Sequence, residues 1–457
     1  MFATRGYMLD ISRDKVPTMA TLRQIVDLLM RFGYNQFQLY TEHTFAYSRH
    51  EAVWKNASPM TADEVRELSL YCEMQGIELV PNQNSFGHME RWLVHPGYNH
   101  LAELPKGGAM TPWGTVKKDP TTLCPTDPES LEFLSGLYDE LLPNFRSNLF
   151  NIGCDETFDI LSPHGRSAAA VKEKGAGRVY LDFLRQVAAL VRMRGKRPMF
   201  WGDIVLKHPE LVQLLPKDMV ALDWGYEADH PFDREAKAFA GAGLDFYVCP
   251  GTSSWNSLCG RVENMRSNVE AAEKAGRLFG AKGLLMTDWG DGGHWQPLAA
   301  SLPGLILGGT FALEGPKAAR MNLEDALNAV MEVPLGGTLL RLGVLYMRGG
   351  ALRANASELY RILSGDRGYS RHPGLTDPIL HEISSLAQGC RIQAEKYAGG
   401  GNVWAQEIVY MANMADAACH RRDDGRLRAL REEHGRVWRL RNREGGRVDS
   451  LSKLPRF

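Results

Sequence analysis

Two adjacent carboxyls, Asp155 and Glu156, close the stretch Asn148-Leu-Phe-Asn-Ile-Gly-Cys-Asp-Glu-Thr157. The apolar run before them reads as a buried strand and the residues after them as a loop, so the pair lies at a strand mouth. One carboxyl in such a place suits holding a substrate dipole and the other suits moving a proton. Glycoside cleavage needs that division: a proton donor beside the leaving oxygen, and something to stabilise an oxocarbenium-like centre. Trp201, Trp224 and Trp289, with Trp255 and Tyr247, fall near the ends of other apolar runs. One such ring alone reads as core packing. Several at the same end as a carboxylate pair read as flat apolar walls for a pyranose. With Glu156 among them, desolvation would raise its pKa and keep it protonated near neutral pH.

These residues need a scaffold that brings strand ends together. Short apolar runs occur at 6–10, 36–40, 77–81, 149–153, 198–202, 220–224, 245–249 and 283–287, separated by helical patterns. Leu22, Ile25, Val26 and Leu29 recur at helical spacing behind Thr18 or Thr21 as N-cap. Thr61 followed by Glu64 is a capping-box pattern, and Gly76 closes the helix it opens. Strand–helix alternation repeated eight times predicts an α/β fold, a (β/α)8 TIM barrel, over residues 1–314. Barrel enzymes place their chemistry on the loops after the strands. Arg13, Glu42, His43, His88, Asp155, Glu156, Asp203 and Asp291 all fall there. The connection over 82–127 is long and rich in Gly, Pro and Trp, which suits part of a binding site. From 315 to 457 the pattern is all-helical, Ala/Leu/Arg-rich and without a chemical motif.

Composition narrows the partners. The 457 residues carry a formal net charge of −1, which implies no nucleic-acid partner. The arginines of the last forty residues are interleaved with Asp423, Asp424, Glu432 and Glu433, as on a solvated helix face. Seven scattered cysteines form no close pairs, and no Cys/His spacing resembles a structural metal site. The chain enters a strand almost at once, with no signal peptide or membrane span to read. A cytoplasmic protein is expected. The helical tail either shields the barrel or forms a homodimer interface.

Asn151-Ile-Gly-Cys-Asp-Glu156 resembles the strand-four motif of family 20 glycoside hydrolases, the β-N-acetylhexosaminidases, written His-x-Gly-Gly-Asp-Glu. Arg5-Gly-Tyr-Met-Leu-Asp-Ile-Ser-Arg13 is similar to the family's first strand. Phe86-Gly-His88 resembles its Pro-Gly-His, and Asp288-Trp-Gly-Asp291 its Trp-Gly-Glu. The resemblance implies substrate-assisted retention without a cofactor or metal: the 2-acetamido oxygen of the substrate attacks the anomeric carbon and forms an oxazolinium intermediate. It implies that Asp155 orients the acetamido N–H, Glu156 is the acid–base and Tyr247 bonds the acetamido oxygen. By the same resemblance Trp201, Trp224 and Trp289 wall the sugar site, Arg13 and Asp291 bind hydroxyls, and Glu42 and His88 back the catalytic Glu. Its substrate is an oligosaccharide or small glycoside ending in β-GlcNAc or β-GalNAc.

The departures from the pattern are Asn151 for His, Cys154 for Gly, Glu42 for Asp, and Cys249 where the family has a hydroxyl-reading Asp. The last leaves sugar identity open between the two epimers. The amino-terminal α/β domain common in the family is not expected before this barrel. Competing readings are a two-carboxylate glycosidase with Asp291 as nucleophile, a metal-dependent barrel enzyme using His43, His88 and His294, and a non-catalytic sugar-binding barrel.

Overall fold

The computed structural model describes residues 1–365 and 370–455. Eight parallel strands form one sheet: β1 (Thr4–Asp10), β2 (Gln36–Tyr40), β3 (Glu78–Val80), β4 (Leu149–Asn151), β5 (Arg197–Trp201), β6 (Val220–Trp224), β7 (Asp245–Cys249) and β8 (Gly283–Asp288). Their order is β3-β2-β1-β8-β7-β6-β5-β4, and Asn151 closes the ring. Its N–H donates to the Pro81 carbonyl and its carbonyl accepts from Gln83 N–H, both at 3.0 Å. The expected barrel is therefore present, with all eight strands falling on the predicted runs. Asn151, the residue that replaces the motif His, is part of this seam. Its side chain also donates to Gln38 Oε1 and accepts from Gly153 N–H, each at 3.0 Å.

The helices begin where the caps put them. In α1 (Met19–Arg31) Thr18 accepts from Thr21 N–H. In α2 (Ala62–Met74) the Thr61/Glu64 capping box is complete, and Gly76 just beyond its end has φ +70°. Around the ring follow α3 (Pro128–Leu141), α4 (Ala176–Arg192), α5 (Phe232–Gly241), α6 (Val262–Phe279) and α7 (Leu298–Glu314). The segment Leu298–Arg320 is long and apolar enough to cross a membrane, yet it is 83% buried inside the protein. Apolar residues all round a helix are what a core position between barrel and further helices demands.

Those further helices are α8 (Asp377–Ala398), α9 (Val403–Cys419), α10 (Asp424–Arg441) and α11 (Arg447–Lys453). One hydrophobic core runs from Phe2 of the barrel to Leu454. Polar ties reinforce it. Glu407 on α9 takes Arg441 of α10 at 2.6 Å and, through its other oxygen, the Ala299 N–H at the start of α7 at 3.1 Å. A carboxylate at a helix N-terminus is favourably placed against the helix dipole. A cavity of about 40 Å³ beside this tie is lined by Lys15, His294, His434 and Trp438. Burial, only partly offset by Glu407, lowers the Lys15 pKa to about 7.

Both Glu407 and Arg441 are almost wholly buried. Removing one partner leaves an uncompensated buried charge, so Glu407→Ala is expected to cost about 3–5 kcal/mol in denaturant unfolding. A loss below about 1 kcal/mol would show that the pair is not an anchor.

Candidate active site

The turn after β4 is built from unusual backbone. Gly153, Cys154 and Glu156 all have positive φ, at +66°, +70° and +49°. Non-glycine residues rarely adopt this region, and such conformations cluster where function over-determines them. The turn is wedged against the loop after β3, where a Cβ on Gly87 would fall on the Asp155 carbonyl oxygen. Only glycine allows that approach, which explains the Gly of Phe86-Gly-His88. The next residue, His88, has φ +55° and sends its ring into the gap.

His88 joins the two acids. Its Nε2 lies 3.2 Å from Asp155 Oδ2 and 3.4 Å from Glu156 Oε2. Burial works against a charged ring here, but Asp155, with Glu156 adding, outweighs it and holds the His88 pKa up at about 10. Burial pushes the Glu156 carboxyl above its ordinary range; His88 opposes this and Asp155 adds to it. The other oxygen of Asp155, Oδ1, is buried without a hydrogen-bond partner in the protein. Asp203, at the end of β5, completes the acidic floor. Burial, reinforced by Asp155, raises its pKa to about 7, and its Oδ2 accepts from Glu156 N–H at 3.5 Å.

The same pocket is lined by Arg13, Trp201, Trp224, Trp289 and Asp291, as expected. Arg13 sits 3.2 Å from Asp10 Oδ2, 3.5 Å from Glu42 Oε1 and 3.6 Å from Asp291 Oδ1, and over the rings of Tyr40 and Trp289. The indole N–H groups of Trp201 and Trp224 are buried without acceptors. Among its fully buried atoms the pocket thus offers one unpaired acceptor, Asp155 Oδ1, and two unpaired donors, the Trp201 and Trp224 indole N–H groups. A bound amide, with one N–H and one carbonyl, is complementary to such a set.

One expectation is corrected. Tyr247 does not reach the mouth. Its Cα pairs with Gly283, the first residue of β8, and its hydroxyl bonds Thr4 Oγ1 at 3.2 Å, at the opposite, N-terminal end of the barrel. The tyrosine in the pocket is Tyr226, two residues past Trp224. Its ring stacks on Trp224 with centroids 5.2 Å apart, and its oxygen accepts the Trp289 indole N–H at 2.7 Å. The period-2 alternation of β6, carried two residues beyond the inward-facing Trp224, was the available signal. Glu42 is buried behind Arg13 and His88 and does not line the pocket. It accepts from Tyr40 O–H at 2.9 Å and stands 3.9 Å from His88 Nδ1. Burial, opposed by Arg13, lifts its pKa to about 7. It stands beside His88, behind the pocket. Trp255 is likewise buried, edge-on to Tyr226 at 5.0 Å.

The three histidines of the metal reading do not converge. His43 is buried away from the pocket with its pKa lowered by burial to about 3, and His294 Nδ1 lies 3.2 Å from the Arg13 carbonyl. Among the described residues, the acid–histidine group close enough to share a cation is Asp223, His230 and Glu235, with one ligand atom from each within 4.8 Å of the others. Burial and the neighbouring Glu235 raise the Asp223 pKa, and His230 Nε2 lies 3.1 Å from Glu235 Oε2.

A closed (β/α)8 barrel with a buried acid pair under an indole cage defines a sugar-processing hydrolase site. Residues 2–297 match the family described as "Glycosyl hydrolase family 20, catalytic domain". The chain belongs to that family and is a glycoside hydrolase. It is 25% identical over 309 residues to Hexosaminidase D of Bos taurus, covering 63% of this chain and 84% of that one. It is 24% identical to Hexosaminidase D of Homo sapiens, covering 66% and 63%, and 27% identical to a Beta-hexosaminidase of Akkermansia muciniphila, covering 45% and 46%. The fold matches the crystal structure of a beta-N-acetylhexosaminidase with TM-score 0.56 at 18% identity, over 71% of this chain and 76% of that one. It also matches a Flavobacterium johnsoniae chitobiase with TM-score 0.53 at 16% identity, over 99% and 78%.

If Glu156 acts protonated, kcat/KM falls as pH rises through its folded pKa, above the ordinary carboxyl range. His88 favours the ionised acid, so His88→Gln is expected to raise that pKa and move the alkaline limb of the kcat/KM profile to higher pH. An unmoved limb would separate His88 from the acid.

Proposed function

We propose that this chain is an exo-acting, retaining β-N-acetylhexosaminidase that removes terminal β-GlcNAc or β-GalNAc by substrate-assisted catalysis. The observation that carries the reading is the buried, unpaired Oδ1 of Asp155, one residue from a raised-pKa Glu156 and among indoles whose N–H groups also lack partners. An acetamido N–H satisfies Asp155 Oδ1. Tyr226, which accepts from Trp289 and lies in the pocket lining, turns its O–H to the acetamido oxygen and takes the role expected of Tyr247.

In the first step the acetamido oxygen attacks C1 while the C1–O bond to the leaving group breaks. The Glu156 proton goes to the departing oxygen, and the sugar becomes a cyclic oxazolinium. Asp155 holds the N–H and balances the positive charge on the ring. In the second step Glu156, now ionised, takes a proton from water. The resulting hydroxide equivalent attacks C1 on the face the leaving group vacated, the ring opens, and configuration is retained. Trp201, Trp224 and Trp289 exclude water from this region and stack on the sugar. Arg13 and Asp291 hold hydroxyls at the rim.

The reading predicts cleavage of 4-nitrophenyl β-N-acetyl sugars and no cleavage of the corresponding β-glucoside, which lacks the internal nucleophile. Comparable turnover of both would eliminate the acetamido mechanism. Glu156→Gln and Asp155→Asn are each expected to lose at least ~10²-fold in kcat. Near wild-type rates for either variant would remove its residue from the chemistry.

A further inference from the structure

Asn355 lines the pocket from outside the barrel. It lies in the two-residue turn between β9 (Leu352–Arg353) and β10 (Ala356–Ser357), with φ +54°. Asparagine tolerates this left-handed region better than most residues. The turn is fastened to the loops after β6 and β7. Asn355 N–H donates to Glu227 Oε1 at 2.7 Å, and Arg261 grips Glu227 through two bonds of 2.9 Å. Arg261, 2% exposed, also donates to the Arg353 carbonyl at 3.1 Å.

The side chain is oriented as firmly. Trp255 Nε1–H donates to the Asn355 carboxamide at 2.7 Å. An indole N–H can only donate, so the atom facing it is Oδ1 and the other is the amide nitrogen. That nitrogen carries two N–H groups and donates to no protein acceptor among the described residues. Asn355 is also on the Asp291 side of the mouth. Asn256 Nδ2–H donates to the Asn355 carbonyl at 3.5 Å, and Asn256 Oδ1 packs where a Cβ on Gly292 would lie. Meanwhile Cys249, at the end of β7, is fully buried and stands 3.7 Å from the Tyr247 carbonyl, so this strand end gives the pocket no polar group.

We propose that Asn355 is a specificity-determining substrate contact, its free Nδ2–H donating to a hydroxyl oxygen on the C4–C6 edge of the terminal sugar while Asp291 accepts from that edge. The inference rests on the hexosaminidase reading above. A hydroxyl both donates and accepts, and a fixed donor beside a fixed acceptor selects its direction. The carboxamide would thereby supply from the C-terminal region the hydroxyl reading that Cys249 cannot.

Two variants isolate the contact. Asn355→Gly keeps the turn, because glycine adopts positive φ freely, and deletes the amide. Asn355→Asp keeps the shape and the Trp255 bond but exchanges donor for acceptor. Each is assayed with the full chain on 4-nitrophenyl β-GlcNAc, β-GalNAc, and the 4-deoxy and 6-deoxy analogues of the GlcNAc substrate. On a parent sugar kcat/KM is expected to fall about three- to tenfold, mostly in KM, with the GlcNAc/GalNAc ratio altered. The loss should vanish on the analogue lacking the contacted hydroxyl. Unchanged kcat/KM on both epimers, or an equal loss on the parent and both deoxy sugars, overturns the assignment. No hydrolysis of any acetamido sugar by the unmutated chain would instead mark failure of the hexosaminidase reading, and the inference would fall with it.

Discussion

Two carboxyl groups on adjacent residues, both turned into one poorly hydrated pocket, are unfavourable unless their protonation is divided. His88 makes the division workable. It bridges Asp155 and Glu156 at 3.2 and 3.4 Å, and the acids in turn hold up its pKa. Burial favours the protonated form of Glu156, with His88 opposing and Asp155 adding, the direction that the proposed division of tasks requires. Much of the local structure serves this arrangement. The left-handed turn over Gly153, Cys154 and Glu156 aims the acids inward, Gly87 lets the His88 loop close on Asp155, and Arg13 with Glu42 fixes the far side of the imidazole.

The C-terminal helices are structural partners of that pocket. Lys453 pairs with Asp14 at 2.7 Å and Arg91 with the same carboxylate, which ties down the loop carrying Arg13. Tyr360 O–H donates to the Gly292 carbonyl at 2.8 Å, and Ser450 bonds the Gly293 carbonyl, which ties down the loop carrying Asp291. The two rim residues proposed to hold sugar hydroxyls are thus braced by a region whose sequence shows no chemical motif. Deleting it would expose the shared core and release both loops.

The barrel was legible because its strands are short apolar runs between capped amphipathic helices, signals that are local in sequence. Asp155, Glu156, His88, Arg13 and the three tryptophans were legible for a related reason: each stands at the C-terminal end of a strand or in the loop that follows it. Tyr247 was misplaced because position on a strand does not reveal which layer of the barrel interior a side chain occupies; its register with Gly283 sets it in the lower layer. Glu42 is a buried support because Arg13 and His88 stand between it and the pocket. Asn355 was invisible because its place depends on a hairpin from a distant segment docking on Glu227 and Trp255, a contact that no local pattern encodes.

The central claim concerns where the amide of the sugar goes. A crystal structure of the chain with an N-acetylglucosamine-derived thiazoline, a stable mimic of the cyclised intermediate, tests it most directly. The ring nitrogen is predicted within hydrogen-bonding distance of Asp155 Oδ1, with Glu156 beside C1 and Tyr226 O–H facing the ring sulfur that replaces the acetamido oxygen. A ring nitrogen directed away from Asp155, or a sugar bound outside the Trp201–Trp224–Trp289 cage, would contradict the account.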